Sequence, residues 1–239
     1  MKILTTRHKA ARAKAFTLME LLIVIALIAV ICVWIAPGLS GGSRSASLQS
    51  AQTMLANLVA VTRTKAVATG SSARLLVNID LANAPVGGRY LRFIAVQVQD
   101  GVGWDTIGTA WLPEGVGLLP RDPAVPSNLL PGGPVWTRPS DGAQLRSSAL
   151  RPVGPVYPDA EVTFAVDSPA AELWAAIKFT ALGTTANGGD LVLAGYQVLP
   201  PGSYAPGESP LQFENQETVR GLTLSTYGLP EYVNGREGF

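Results

Sequence analysis

A chain of 239 residues, 47% of them apolar and carrying 18 prolines and 25 glycines, suits one membrane helix followed by one β-rich domain of roughly 160 residues. The formal charge of +1 conceals an asymmetry. Lys2, Arg7, Lys9, Arg12 and Lys14 precede residue 16 without an acid, which leaves 13 basic against 17 acidic residues beyond them. That balance does not favour a nucleic-acid surface. The only histidine, His8, lies among those first residues, and the only cysteine is Cys32. The remainder therefore has no Ser-His-Asp or Cys-His arrangement, no histidine for a zinc site and no internal disulfide, so no catalytic, metal or cofactor site is expected.

In chain order the basic leader, residues 1–15, ends at Ala15, and an apolar helix begins abruptly at Phe16. Counted to Ala36 it holds 21 residues, roughly 31 Å at about 1.5 Å per residue, enough to cross a bilayer core of about 30 Å. The leader's positive charge orients it with residues 1–15 cytoplasmic and everything after the helix outside. Ile35-Ala36-Pro37-Gly38 is a poor secretory cleavage site. Glu20 interrupts the apolar run at a cost of about 3 kcal/mol, which marks a function or a partner. It sits one helical turn beyond Phe16. Cleavage after Ala15 would give Phe16 a free α-amine that Glu20 of another subunit could neutralise. An ordinary signal anchor with a tolerated glutamate is the alternative.

Lys14-Ala15-Phe16-Thr17-Leu18-Met19-Glu20-Leu21-Leu22 resembles the class III signal of type IV prepilins and type II secretion pseudopilins. The resemblance implies cleavage between Ala15 and Phe16 by prepilin peptidase, N-methylation of Phe16, and Glu20-guided assembly into a filament with other pilins or pseudopilins. It implies an inner-membrane subunit with a periplasmic C-terminal domain, with secreted protein cargo as a further partner. Pro37 falls where this family often kinks its helix. Ala15 departs from the family's usual glycine but keeps a small residue there, so cleavage is expected.

Beyond the membrane segment, 16–37, residues 38–70 read as the second half of one long helix, kinked or locally melted at Pro37-Gly38 and Gly41-Gly42. Leu48, Ala51, Leu55, Leu58, Thr62 and Ala66 form a stripe at helical spacing that belongs in a core, and Gly70 is a suitable stop. The passage Leu58 to Val77 is similar to the helix-to-strand junction of the GspH/FimT minor pseudopilins, with Arg63 read as a solvated helix-face charge.

Alternating residues predict strands at 73–81, with one buried face, at 90–99 and at 104–112, the last two joined through Asp100-Gly101-Val102-Gly103 as a hairpin. Residues 113–159 hold ten of the 18 prolines and read as an irregular insertion with short edge strands at most. Trp136 and Tyr157 within it are candidates for a contact surface. Further strands are expected at 162–166, 174–181, 191–198 and 219–226, with residues 182–190 a turn. The fold class is α+β, pilin-like: a long N-terminal helix, its first half transmembrane, packed on an antiparallel sheet, with residues 71–239 as the exported domain.

Asp100 and Asp105 bracket the hairpin turn and offer the oxygen ligands calcium takes, but without Asp-x-Asp-x-Asp-Gly spacing. Asp190, after Gly188-Gly189, reads as a turn residue. A rival function, DNA uptake, would need clustered cations, and the tail offers only Arg220 and Arg236.

Overall fold

The computed structural model describes residues 18–81, 88–121, 129–130, 136–152, 172–186 and 188–239, and for residues 20, 26 and 28–43 the backbone alone. The chain divides into two compact units, residues 1–43 and 44–239. Helix α1, Leu18–Thr69, runs through both. Of the two alternatives expected at Pro37-Gly38 and Gly41-Gly42, a kink or local melting, the melting is not found: helical backbone continues through all four residues. The proline removes one backbone donor without ending the helix. The helix stops where expected, at Gly70, whose φ of 62° suits a left-handed cap and whose N–H donates to the Val67 carbonyl at 3.3 Å.

Among the described residues the second unit also holds ten strands: β1 Ala73–Asn78, β2 Phe93–Asp100, β3 Gly103–Trp111, β4 Val116–Leu118, β5 Arg151–Pro152, β6 Trp174–Phe179, β7 Gly189–Val198, β8 Leu211–Phe213, β9 Arg220–Leu224 and β10 Pro230–Asn234. They form two antiparallel sheets instead of the single one expected. The first has the order β3-β2-β1-β6-β5; the second is β10-β9-β7-β4, with β8 also pairing β7.

The helix stripe is buried at Leu48, Ala51, Leu55, Thr62 and Ala66, as the spacing requires. It passes through Ala56 and Val59, while Leu58 is only partly buried. This stripe shares one core with Leu75, Val77, Val96 and Ile177 of the first sheet and Leu191, Leu193, Leu222 and Leu224 of the second. One helix thus covers a face of both sheets.

Both faces of β1 are buried, against the single face expected. It is the central strand, and its second face is covered as well: Leu76 packs with Phe93, Ala95 and Trp174. Buried Arg74 donates to Gln97 Oε1 at 2.9 Å and lies 4.0 Å from the centre of the Trp104 ring, so the polar residue of the alternation is enclosed too. Strand β2 begins three residues later than its alternation suggests. Leu91 has φ 58° and belongs to a turn, where its N–H donates to the Asn78 carbonyl and its carbonyl accepts from Leu118. The hairpin from β2 to β3 forms as expected. Of its two loop residues only Gly101 has positive φ (58°), the pattern of a type II′ turn.

Among the described residues of 113–159 only the short edge strands anticipated are found, yet these residues are no surface insertion. Leu118, Leu119, Leu129, Trp136, Leu145 and Leu150 are buried. Ser147 and Ser148 fasten the segment to β7 by accepting from the Val192 and Asp190 N–H groups at 3.1 and 2.9 Å. The outer face of the second sheet needs this cover, because Val192, Ala194 and Phe213 are apolar there. The strand expected at 162–166 lies outside the described residues. Strands β8 and β10 were not foreseen: the first is three residues long, and the second opens on a proline.

Candidate processing and assembly site

Ala15 and Phe16 lie outside the described residues, as does His8. Glu20 and Pro37 both lie within α1.

The residues around Glu20 define its surroundings. Leu18, Met19, Leu21, Leu22, Ile23, Val24, Ile25 and Leu27 are all exposed. At about 100° per residue, the five consecutive positions 21–25 go round the whole helix circumference. No face is left for water. A helix apolar on every side belongs in lipid or among other helices, and burying such side chains fully is worth about 1.5–3 kcal/mol each. Among the described residues no helix is long and apolar enough to cross a membrane; the described side chains of this stretch end at Leu27.

The other candidate residues are occupied by the fold. Trp136, expected at a contact surface, is buried and packs edge-on against Phe213 with ring centres 6.4 Å apart; Tyr157 lies outside the described residues. Asp190 is the second residue of β7, not of a turn, and accepts from Thr223 at 2.9 Å and Arg138 at 3.3 Å. Asp100 closes the hairpin opposite Gly103, and Asp105 lies opposite Val98. Among the described residues no three His, Cys, Asp or Glu side chains gather as metal ligands would.

Arg63 is not a solvated charge. Its Nε donates to the carbonyls of Gly183 and Tyr227, each at 3.2 Å, tying α1 to two turns. Arg220 donates to Asn234 Oδ1 at 2.7 Å, and Arg236 pairs with Glu217 and donates to the Thr137 carbonyl. The two cations considered for DNA are therefore engaged within the chain.

Two helix residues that the sequence did not single out hold α1 in place. Arg44 pairs with Glu214. Gln52, 2% exposed, donates from Nε2 to the Gly221 and Val233 carbonyls, both at 2.8 Å. Its place one turn after Leu48, beside the apolar stripe, was its only signal. The shifted titrating groups belong to the core. Burial pushes the Tyr90 hydroxyl up to about 12, and it raises that of Tyr196 against the opposing pull of Arg92.

Residues 10–36 match the prokaryotic N-terminal methylation motif, a type IV prepilin-like signal that spans Ala15, Phe16 and Glu20 but stops short of Pro37. No curated protein and no solved structure matches the chain. The motif implies processing by prepilin peptidase and assembly with other pilin-type subunits.

Proposed function

We propose that the chain is a minor pseudopilin or minor pilin of the GspH/FimT kind, a structural subunit and not an enzyme, assembled into a type II secretion pseudopilus or a type IV pilus-like filament. Its apolar helix holds it in the bacterial inner membrane, with the leader cytoplasmic and the β domain periplasmic. Prepilin peptidase cleaves between Ala15 and Phe16, and Phe16 is methylated on its new amine. Glu20 then pairs with the corresponding amine of a neighbouring subunit. An unpaired charge in a dry helix bundle is costly, and a matched one recovers much of that cost. The filament therefore favours the neighbour whose amine reaches Glu20.

A single observation carries this reading: a carboxylate inside the matched motif, within a helix whose neighbouring residues are apolar all the way round. Its test is the intact mass and N-terminal sequence of the protein recovered from its own membranes. The expected product begins at Phe16 and is one methyl group heavier than the bare peptide. A protein that keeps residues 1–15, or begins beyond the apolar helix, overturns the proposal. DNA uptake gains no support from Arg220 and Arg236, whose guanidinium groups already have partners in the chain.

A further inference from the structure

We propose that Asn234 is a deamidation site held closed by the fold, and that its cyclisation onto Gly235 proceeds only when the end of β10 peels away from β9. Of the described asparagines, Asn57, Asn78 and Asn215 precede leucine, isoleucine and glutamine, while Asn234 precedes glycine. A side chain on the following residue hinders attack by its nitrogen, and glycine has none. Asn234 is exposed, and nothing lies within 4 Å of where a Gly235 Cβ would stand. Water therefore reaches both the amide and any ring formed there.

Both reacting groups are held by β9 and the residue before it. Asn234 ends β10 opposite Arg220. Gly235 N–H, the nucleophile, donates to the Val219 carbonyl at 2.9 Å. Attack requires this nitrogen to shed its proton, and a hydrogen bond made through that proton holds it in place. The oxygen of the amide to be attacked, Oδ1, accepts from Arg220 Nη1 at 2.7 Å. Ring closure must also bring Cβ of Asn234 and the Gly235 nitrogen to one side of the Cα–C bond, and extended backbone keeps them apart. The flanking residues are fastened too: the Val233 carbonyl accepts from Gln52 at 2.8 Å, and Arg236 Nε donates to the Thr137 carbonyl at 2.9 Å.

Once the strand end opens, the Gly235 nitrogen bonds to Asn234 Cγ, the Cγ–Nδ2 bond breaks, and ammonia leaves with the proton that the nitrogen gave up. Water then splits one of the two ring C–N bonds to give aspartate or isoaspartate. Aspartate keeps the main chain as it was and leaves Arg220 an oxygen to pair with. Isoaspartate carries the main chain through the side-chain carbons and adds one backbone atom before Gly235. That shifts Gly235 off the Val219 carbonyl and strains the neighbouring Val233–Gln52 bond, which helps to hold α1 on this sheet.

The test incubates the full chain in detergent at mildly alkaline pH, folded and in urea, and follows the peptide holding Asn234 by mass. Replacement of the amide NH2 by OH marks the reaction, and peptide mapping separates it from Asn187-Gly188, the chain's other such pair. The folded chain should react about ten-fold or more slowly than the chain in urea, because only its opened fraction is reactive. Gln52→Met and Arg220→Ala, which loosen β10 locally, should each speed the folded reaction several-fold. Leu76→Ala, which removes packing from the far side of the first sheet, should not. Arg220 is only partly buried, so its variant decides the matter if Gln52→Met does not fold. Equal rates in the folded and unfolded chain, no reaction in urea, or equal acceleration by Leu76→Ala overturns the gate. The refolded isoaspartyl fraction should unfold at lower urea than Asn234→Asp, and equal midpoints would refute the shift assigned to the extra backbone atom.

Discussion

Gln52→Met tests how α1 is held on the second sheet. The side chain is buried, and its Nε2 supplies two hydrogen bonds of 2.8 Å to the Gly221 and Val233 carbonyls on β9 and β10. Arg220 approaches its Oε1 at 3.5 Å, which fixes the amide orientation. Methionine keeps the length and volume but removes both donors. A buried acceptor left without its partner costs about 1–3 kcal/mol, less where another bond survives on the same carbonyl. Two such carbonyls give an expected loss of about 2–4 kcal/mol, a large part of a domain stability of about 5–15 kcal/mol. In a urea titration of the full chain in detergent, followed by tryptophan fluorescence, the midpoint should fall by about 1–2 M for a slope near 2 kcal/mol/M.

Gln52→Glu sharpens the test, because a carboxylate facing two carbonyls is held in its protonated form and its folded pKa lies above the usual value of about 4.3. Its extra destabilisation is therefore complete above that raised value, shrinks as pH falls through it, and is gone below about 4.3. Equal midpoints for Gln52→Met and the parent, or a Gln52→Glu deficit that does not change with pH, would refute the claim that this amide bridges helix and sheet.

Gly221→Ala should cost about 3 kcal/mol or more in the same titration, since its Cβ would stand 1.9 Å from the Leu191 carbonyl and 2.8 Å from the Phe239 ring. Tyr90 ionises near 10 when unfolded and near 12 when folded, so the unfolded state releases its proton first and stability falls between those values. The loss should approach about 2–3 kcal/mol by pH 12, and Tyr90→Phe should remove that part of the slope. Glu20→Ala should leave membrane insertion and the yield of folded domain unchanged while excluding the subunit from sheared filaments; normal incorporation would count against the pairing role.

The leader, the apolar helix and Glu20 were legible in the amino-acid sequence because each is a local property: a run of charge, a run of oil, one misplaced acid. The same holds for the Gly70 stop, the Gly101 hairpin and the six strands whose alternation spans five residues or more. Local signals reach no further than the element that carries them. That two sheets share one helix, and that β1 is buried on both faces, are facts of packing that a half-buried alternation cannot announce. The proline-rich segment looked like surface because prolines break strands, but the apolar outer face of the second sheet draws Leu119, Trp136 and Leu145 inward.

Arg63 and Gln52 show the same limit from the polar side. A charge or an amide on a helix reads as solvated unless a carbonyl is waiting 120 to 181 residues away. Tertiary packing alone decides that, because an unpaired carbonyl buried in the sheet is costly and the chain must place a donor there.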